Sequence, residues 1–225
     1  MWSLSSDLAD SNWKDPMPSL DLLIAFAAAT AVFAYFPGPA LLYTAAQTLA
    51  RGRRAGFMAA LGIHLGCYVH VLAAAFGLSA AFRHVPELYA AVKIVGAIYL
   101  VWLGIGMLRA KAEGIDPGTI APKSARRAFL ESVAVEILNP KVAIFFIAFL
   151  PQFVDPAAAF PVWLQFLILG TVVNFAFSSA DIVTVLATST VLSKMKSGGW
   201  GHRLMRVGGG SILIGLGFKL ATDRT

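Results

Sequence analysis

The sequence is poor in charged residues. Only 13% of its 225 residues are charged, whereas about 25% is usual for a soluble domain. Hydrophobic residues make up 58% of the chain, and the mean hydropathy is +0.73. So few polar groups cannot cover a water-facing surface, which leaves lipid as the solvent for most of it. At roughly 20 apolar residues per spanning helix, the chain has room for about six spans and for no separate soluble domain.

Cysteine and nucleotide-binding signals are also scarce. Cys67 is the single cysteine, which excludes an intramolecular disulfide framework. The sequence has no phosphate-binding glycine loop, which argues against ATP-driven transport by this chain alone. The N-terminal segment carries Asp7, Asp10 and Asp15 against one lysine, Lys14. Because a cleaved signal peptide begins with a basic segment, we expect the first apolar run to be a retained span.

Six long apolar runs follow one another along the chain. They cover residues 20–50, 57–82, 89–110, 129–149, 160–192 and 204–221. All are too long for strands and lack the alternation of a barrel strand, whereas a helix satisfies its backbone groups inside lipid. The sequence therefore predicts an all-α membrane protein with six transmembrane helices in a single domain, residues 1–225.

Basic residues concentrate on one side of this predicted arrangement. The loops after the first, third and fifth runs hold twelve lysines and arginines, and the opposite side holds five. Such an excess marks the cytoplasmic side, so both termini are expected outside. The net charge of +6 is thus an orientation signal, and nucleic acid is not an expected partner. The segment Arg51–Gly52–Arg53–Arg54 is best explained as a topology anchor, with a gating role as the alternative.

The chain also shows signs of two related halves. The first and fourth runs each contain a proline interruption near mid-membrane, at residues 37–39 and 139–141. We place half one at about 20–110, a cytoplasmic loop at about 111–128 and half two at about 129–222. Two halves of three spans each must have opposite orientations. Inverted halves with broken helices in matching positions are typical of a transporter binding site.

The first interruption reads Pro37–Gly38–Pro39. Proline inside a helix removes a backbone hydrogen bond and clashes with the preceding turn, so this segment should break the helix. The half-helix that starts near Pro39 would then present free N–H groups and a positive dipole end to a carboxylate. The alternative is a simple kink that fits a long run into the bilayer.

The second interruption reads Asn139–Pro140–Lys141. Asn139 can both donate and accept hydrogen bonds. Lys141 is a cation in an apolar stretch, about 18 Å along the helix from Phe129 at the helical rise, which is too deep for easy contact with water. We predict that all three residues contribute to substrate binding. The alternative is a lysine that pairs with a carboxylate only to stabilise the helix bundle.

Two acids lie inside predicted spans. Glu136 and Asp181 sit about 10 Å and 16 Å from the cytoplasmic ends of their helices at the helical rise, so contact between them is compatible with their depths. Asp181 shares one helical face with Thr171, Asn174 and Ser178. We assign this face to a solute or proton path, with Asn174 and Ser178 binding substrate. Interhelical hydrogen bonding is the alternative.

The charges of Glu136, Lys141 and Asp181 predict a different role for each of these residues. A carboxylate in lipid is costly unless it is paired or protonated. We expect Glu136 and Lys141 to form a structural pair. Asp181 would then be free to alternate between a proton and a substrate ammonium. Because Glu136 and Asp181 lie at similar depths, the two acids could exchange these roles, and we assign both to proton coupling.

The second run contains a cluster of histidine and cysteine residues, which are the residue types of a soft-metal site. His64, Cys67 and His70 are spaced three apart, but the angular drift puts the two histidines on different faces, so no metal site is expected. Gly62 and Gly66 on the same run form a small-xxx-small pair, which predicts close helix packing instead.

Taken in order, these motifs resemble the LysE/RhtB family of amino-acid exporters over roughly residues 20–220. The matching segments are 36–39, 51–56, 62–66 with His70, 96–100, 139–141, 145–146 and 150–153. Glu136 does not map onto a motif of the family, so its expected role comes from the physical argument alone. The tail before residue 20 is longer than the family pattern needs.

The resemblance implies an inner-membrane secondary transporter, not an enzyme and without a cofactor. It would export amino acids or related small solutes from the cytoplasm, coupled to proton entry. The expected partners are the amino acid, protons and the lipid bilayer, with a homodimer left open. The alternatives are a metal-cation exporter on the same scaffold and, behind it, a membrane-embedded enzyme or a non-transport subunit. The sequence does not identify the solute.

Overall fold

Helix is the only regular secondary structure in the part of the chain that the computed structural model describes. That part comprises residues 15–109 and 125–195 and six positions between Val207 and Phe218. The predicted all-α fold class is thereby confirmed. Most of the sixth predicted run, the centre of the predicted cytoplasmic loop and the first 14 residues lie outside the described residues.

Seven helices follow one another within residues 15–109 and 125–195. They are α1 Leu20–Tyr35, α2 Pro39–Arg51, α3 Arg53–His84, α4 Pro86–Arg109, α5 Ala125–Ile137, α6 over residues 140–153, and α7 Val162–Met195. Two of them depart from α-helical geometry. Helix α3 contains a π-helical stretch at Ala73–Leu78, and α6 passes through a π turn at Phe145–Phe149 into a 3₁₀ end at Leu150–Phe153.

Four of the predicted spans are recovered as apolar helices long enough to cross a bilayer. Arg53–His84 and Val162–Ala187 are two of them, and Arg126–Phe153, which comprises α5 and α6, is the third. The bent pair α1–α2 makes a fourth. The third predicted span coincides with the 24-residue helix α4. The chain is thus a multi-pass membrane protein, while the total of six spans stays a prediction because most of the last run is outside the described residues.

Both predicted proline breaks are present. Helix α1 ends at Tyr35, Gly38 adopts an extended backbone, and α2 begins at Pro39 with its axis bent by 44°. In the fourth run, Asn139 is extended with φ −73° and ψ 106°, and α6 begins at Pro140. Proline is favourable at a first helical position because its missing N–H would have no partner there. The confirmed breaks divide each of these spans into two half-helices.

Glycine sets the distance between α3 and α5. A Cβ on Gly62 would lie 2.6 Å from the Phe129 carbonyl oxygen, and one on Gly66 would lie 2.8 Å from that of Val133. Both contacts are too short for a real side chain, so the predicted close packing at Gly62 and Gly66 is confirmed. Residue numbers increase in the same direction on both helices along this contact, so the two helices are parallel.

Helix α7 runs antiparallel to α3. Gly56 lies against Val185 near the start of α3, and Gly170 lies against Val71 near its far end. Helices α3 and α5 therefore begin, and α2 and α7 end, at the same end of the molecule. Arg53 confirms the proximity by donating to the Leu186 carbonyl at 3.2 Å. We call this the basic end, defined by Arg51, Arg53, Arg54, Arg126 and Arg127.

A column of phenylalanines fills the core on the side of the breaks away from the basic end. Ring centroids lie 4.5 Å apart for Phe33 and Phe145, 4.3 Å for Phe145 and Phe149, and 4.7 Å for Phe149 and Phe153. All four side chains are fully buried. Each such ring pair contributes roughly 0.5–1.5 kcal/mol beyond its buried area. This phenylalanine column closes the route from the two breaks toward the opposite end.

Candidate functional site

The two helix breaks meet through Lys141. Its ammonium donates to the carbonyl oxygens of Phe33 at 2.9 Å and Phe36 at 2.6 Å. In a continuous helix the Phe33 carbonyl would accept from the N–H four residues on, but that residue is Pro37, which has none. The proline break thus exposes backbone acceptors at the negative end of α1, and the cation of the second break occupies them.

Aromatic rings and a glycine complete the surroundings of this ammonium. It lies 4.5 Å from the ring centroid of Phe33, 5.7 Å from that of Phe36 and 5.8 Å from that of Phe177. A Cβ on Gly38 would lie 2.6 Å from Lys141 Cδ, so only glycine allows the lysine stem to pass. Cation–π contact and close backbone approach together hold the charge at the break.

Asn139 links the second break to Glu136. Its side-chain oxygen accepts from the Lys141 N–H at 3.1 Å and so caps α6. Its amide nitrogen donates to Glu136 Oε2, also at 3.1 Å. Because one side chain serves both bonds, Asn139 fixes the position of the carboxylate relative to the start of α6.

Glu136 and Asp181 are both buried, with 1% and 3% of their surfaces exposed. Glu136 Oε1 and Asp181 Oδ1 have no hydrogen-bond partner among the described residues. The Thr44 hydroxyl on α2 lies beside the Asp181 carboxylate. Buried acceptors without partners are costly, so each of these oxygens is available to a proton, a water or a bound solute.

The expected ion pair between Glu136 and Lys141 is not formed, and that prediction was wrong. Among the described residues, the lysine ammonium donates to backbone carbonyls and the glutamate accepts from Asn139. The physical reason is the proline break, which frees carbonyls closer to the ammonium than either carboxylate. The site therefore contains one bound cation and two acids that lack a direct ionic partner.

A small cavity joins these groups. Its polar lining comes from Gly38, Glu136, Asn139, Lys141 and Asp181, which belong to both breaks and to α7. Its volume open to water is about 30 Å³, enough for about two water molecules and far below the roughly 300 Å³ of a small-molecule site. This space is too small for an amino acid, so the cavity must widen before a solute can bind.

The polar face predicted on the fifth span divides in two. Asp181 points into the cavity, whereas Ser178 lies 2.6 Å from His64 Nδ1 and Asn174 donates to the His64 carbonyl at 3.1 Å. Neither Asn174 nor Ser178 lines the cavity. These two residues connect α7 to α3.

The histidines of α3 point to different helices. His64 contacts α7, and His70 donates from Nε2 to the Glu136 carbonyl at 2.9 Å. Within the described part of the chain, no group of three histidine, cysteine, aspartate or glutamate side chains is placed to hold a metal ion.

Pro37, Pro39 and Pro140 act through the backbone. Pro37 frees the Phe33 carbonyl, and the other two start α2 and α6. Sequence reasoning missed the carbonyls of Phe33 and Phe36 as partners of Lys141. The available signal was the position of Pro37, four residues after Phe33.

The sequence of the chain matches a known protein family over most of its length. A family model described as LysE type translocator matches residues 31–224. The chain belongs to this family. The resemblance drawn from the motifs is confirmed, and the family consists of transporters rather than enzymes.

Individual relatives of this LysE-type translocator cover most of its length. An uncharacterised membrane protein of Pseudomonas aeruginosa is 33% identical over 83% of the chain and 88% of its own length. A leucine efflux protein of Klebsiella pneumoniae is 30% identical over the same shares, and one of an Enterobacter species is 30% identical over 72% and 81%. No solved structure matches the chain significantly.

Proposed function

We propose that this translocator exports amino acids from the cytoplasm across the inner membrane in exchange for protons. The observation that carries the proposal is the shared cavity of the two broken helices, which holds one ammonium, a helix N-terminus and two buried carboxylates. A zwitterion needs complementary charges of both signs at close range. Relatives named leucine efflux proteins support an amino acid as the solute.

The positive side of the cavity suits the carboxylate of the solute. Helix α2 begins here, and Ala40 and Leu41 of its first turn line the cavity. First-turn N–H groups have no partner within their own helix and carry the positive dipole end. The Lys141 ammonium adds a full charge beside them.

The negative side suits the amino group. Glu136 Oε1 and Asp181 Oδ1 are the unpartnered acceptors there. With Lys141 charged, two ionised acids leave one net negative charge in the closed cavity, which one proton neutralises. Arrival of an ammonium displaces that proton, so solute and proton exchange at the same acids. This competition is the physical basis of antiport.

Apolar walls favour an aliphatic side chain. Ala34, Leu41, Ile63, Val142 and Phe177 line the rest of the cavity. Among the described residues, the cavity lining offers no further charged group that would pair with an acidic or basic side chain of the solute. We therefore place leucine and similar amino acids ahead of lysine or glutamate as solutes.

The direct test is an efflux assay in cells that express the protein and are preloaded with a panel of amino acids. We expect faster loss of leucine-like amino acids than in empty-vector cells, and we expect an uncoupler to remove the difference. Equal loss of every amino acid in both cell lines would refute export. Export that an uncoupler leaves unchanged would refute proton coupling alone.

A further inference from the structure

Helix α2 buries a polar face. Thr44, Gln47 and Thr48 are 0%, 2% and 6% exposed and lie on one side of the helix, toward the bundle. The Thr44 hydroxyl has no hydrogen-bond partner among the described residues, and that of Thr48 returns to its own helix by donating to the Thr44 carbonyl. Gln47 Oε1 accepts from Arg51 of the same helix at 3.2 Å. Of these three side chains, only Thr44 is left without a partner, and a buried polar group of this kind is costly. A buried polar face that finds its partners mainly along its own helix indicates a face that water contacts in another state.

Both ends of α2 are glycine joints. At one end Gly38 is extended and the axis bends by 44°. At the other end Gly52 has φ +81°, a left-handed conformation that other residues rarely adopt. A 13-residue helix between two such joints can move as a rigid body, since a few terminal residues absorb the change in dihedral angles of a hinge.

Tyr43 connects α2 to α5 in the second half of the chain. The Tyr43 hydroxyl lies 3.3 Å from the Ala128 carbonyl and 3.3 Å from Glu131 Oε2, both on α5. These distances exceed the usual 2.7–2.8 Å between hydroxyl and oxygen, so the bonds are weak. On the opposite side of the cavity, the route is filled by the interlocked rings of the phenylalanine column. The α2 side is therefore the easier side to open.

Position along the helices places these bonds between the cavity and the basic end. Tyr43 lies one turn beyond Ala40 toward Arg51, and Glu131 lies about one and a half turns from Glu136 in the same direction. From this geometry we propose that α2 is the gate through which the solute passes from the basic end into the cavity. Tyr43 and Glu131 form its latch, and Thr44, Gln47 and Thr48 line the entrance once it opens. The inference rests on the proposed export function.

Cys67 provides the probe, because it is the single cysteine, is fully buried and lies beside Glu136, which lines the cavity. A thiol reagent can reach it only when the cavity opens. We expect Tyr43→Phe to raise the labelling rate of Cys67 about fivefold in inside-out membrane vesicles, the factor that corresponds to one net hydrogen bond of about 1 kcal/mol. The reagent is a membrane-impermeant maleimide, applied from the cytoplasmic side.

Tyr35→Phe is the matched control. It removes one hydroxyl from α1, where Tyr35 bonds Ser179 at 3.2 Å, and leaves α2 untouched. Its labelling rate should equal that of the wild type. Glu131→Ala should accelerate labelling as well, and the double variant with Tyr43→Phe should be no faster than Tyr43→Phe alone, because both changes open one latch.

Wild-type labelling rates in both Tyr43→Phe and Glu131→Ala would overturn the gate. So would equal acceleration by Tyr35→Phe, or acceleration only when reagent is applied to right-side-out vesicles. Labelling is measured without any solute, so the gate can stand even if the efflux assay shows no export. Conversely, export by the wild type together with an unchanged Cys67 labelling rate in the variants would support the proposed function and refute the gate.

Discussion

Lys141 holds its ammonium against two backbone carbonyls rather than against either neighbouring carboxylate. Its importance was predictable, because a lysine deep in an apolar run is costly and needs a partner. The partner was not predictable from spacing along one helix. Carbonyls freed by Pro37 become acceptors only after the first and fourth spans pack together, so this feature belongs to the tertiary fold.

Replacement of Lys141 by methionine removes the charge and keeps much of the stem. We expect Lys141→Met to lower efflux by roughly 10- to 100-fold, the range of a charge-assisted hydrogen bond. The measurement is the initial efflux rate, normalised to the amount of protein in the membrane. A normalised rate equal to that of the wild type would show that the ammonium plays no part in binding.

Substitution of Gly38 tests whether the site needs the close approach of the backbone to the Lys141 side chain. A Cβ there would lie 2.6 Å from Lys141 Cδ, so Gly38→Ala should reduce efflux and Gly38→Val should abolish it, with protein still in the membrane. Gly106→Ala is the matched control, because a Cβ at Gly106 meets nothing within 4 Å. Unimpaired efflux from Gly38→Val would contradict the assignment of this break to the solute site.

At the scale of helices, the long apolar runs and both proline breaks follow from composition and proline chemistry, and both were predictable. The π-helical stretches at Ala73–Leu78 and Phe145–Phe149 were not. Neither stretch contains a proline or another sequence signal that marks a π turn. The polar face of α2 was visible as Thr44, Gln47 and Thr48, but its burial depended on where α2 docks.

The glycine contact between α3 and α5 leads to a stability prediction. Gly62→Val would press a branched side chain against the Phe129 carbonyl and Ser132, and overpacking of this kind costs about 1–3 kcal/mol. We expect a lower melting temperature in detergent and less protein in the membrane. Gly77→Ala, where a Cβ has open space, should leave both unchanged. Equal stability of Gly62→Val and wild type would mean that the helices separate at little cost.

At the scale of the whole molecule, the described helices bring the basic ends of α2, α3, α5 and α7 together. The alternation predicted from loop charges agrees with these helix directions. The inverted relation of the two halves, the sixth span and a homodimer stay predictions, because the charge and hydropathy patterns that suggest them involve chain outside the described residues or a second copy.

Orientation in the membrane can be tested by cysteine labelling in a Cys67→Ala background. We expect Gly118→Cys, in the predicted cytoplasmic loop, to be protected from an impermeant reagent applied to whole cells. Ala157→Cys, in the loop before α7, should be labelled. The opposite pattern would invert the topology and assign the basic end to the outside.

The proposed antiport requires solute and proton to compete for two buried acids. The most direct measurement uses purified protein in liposomes that contain labelled leucine, with a pH gradient imposed across the membrane. Wild-type protein should release leucine faster when protons flow inward in exchange, and Asp181→Asn, which keeps the shape and removes the charge, should lose this response at every pH. Glu136→Gln, which keeps an acceptor for Asn139, tests whether the second acid shares the role. Full proton-driven release by Asp181→Asn would contradict the account.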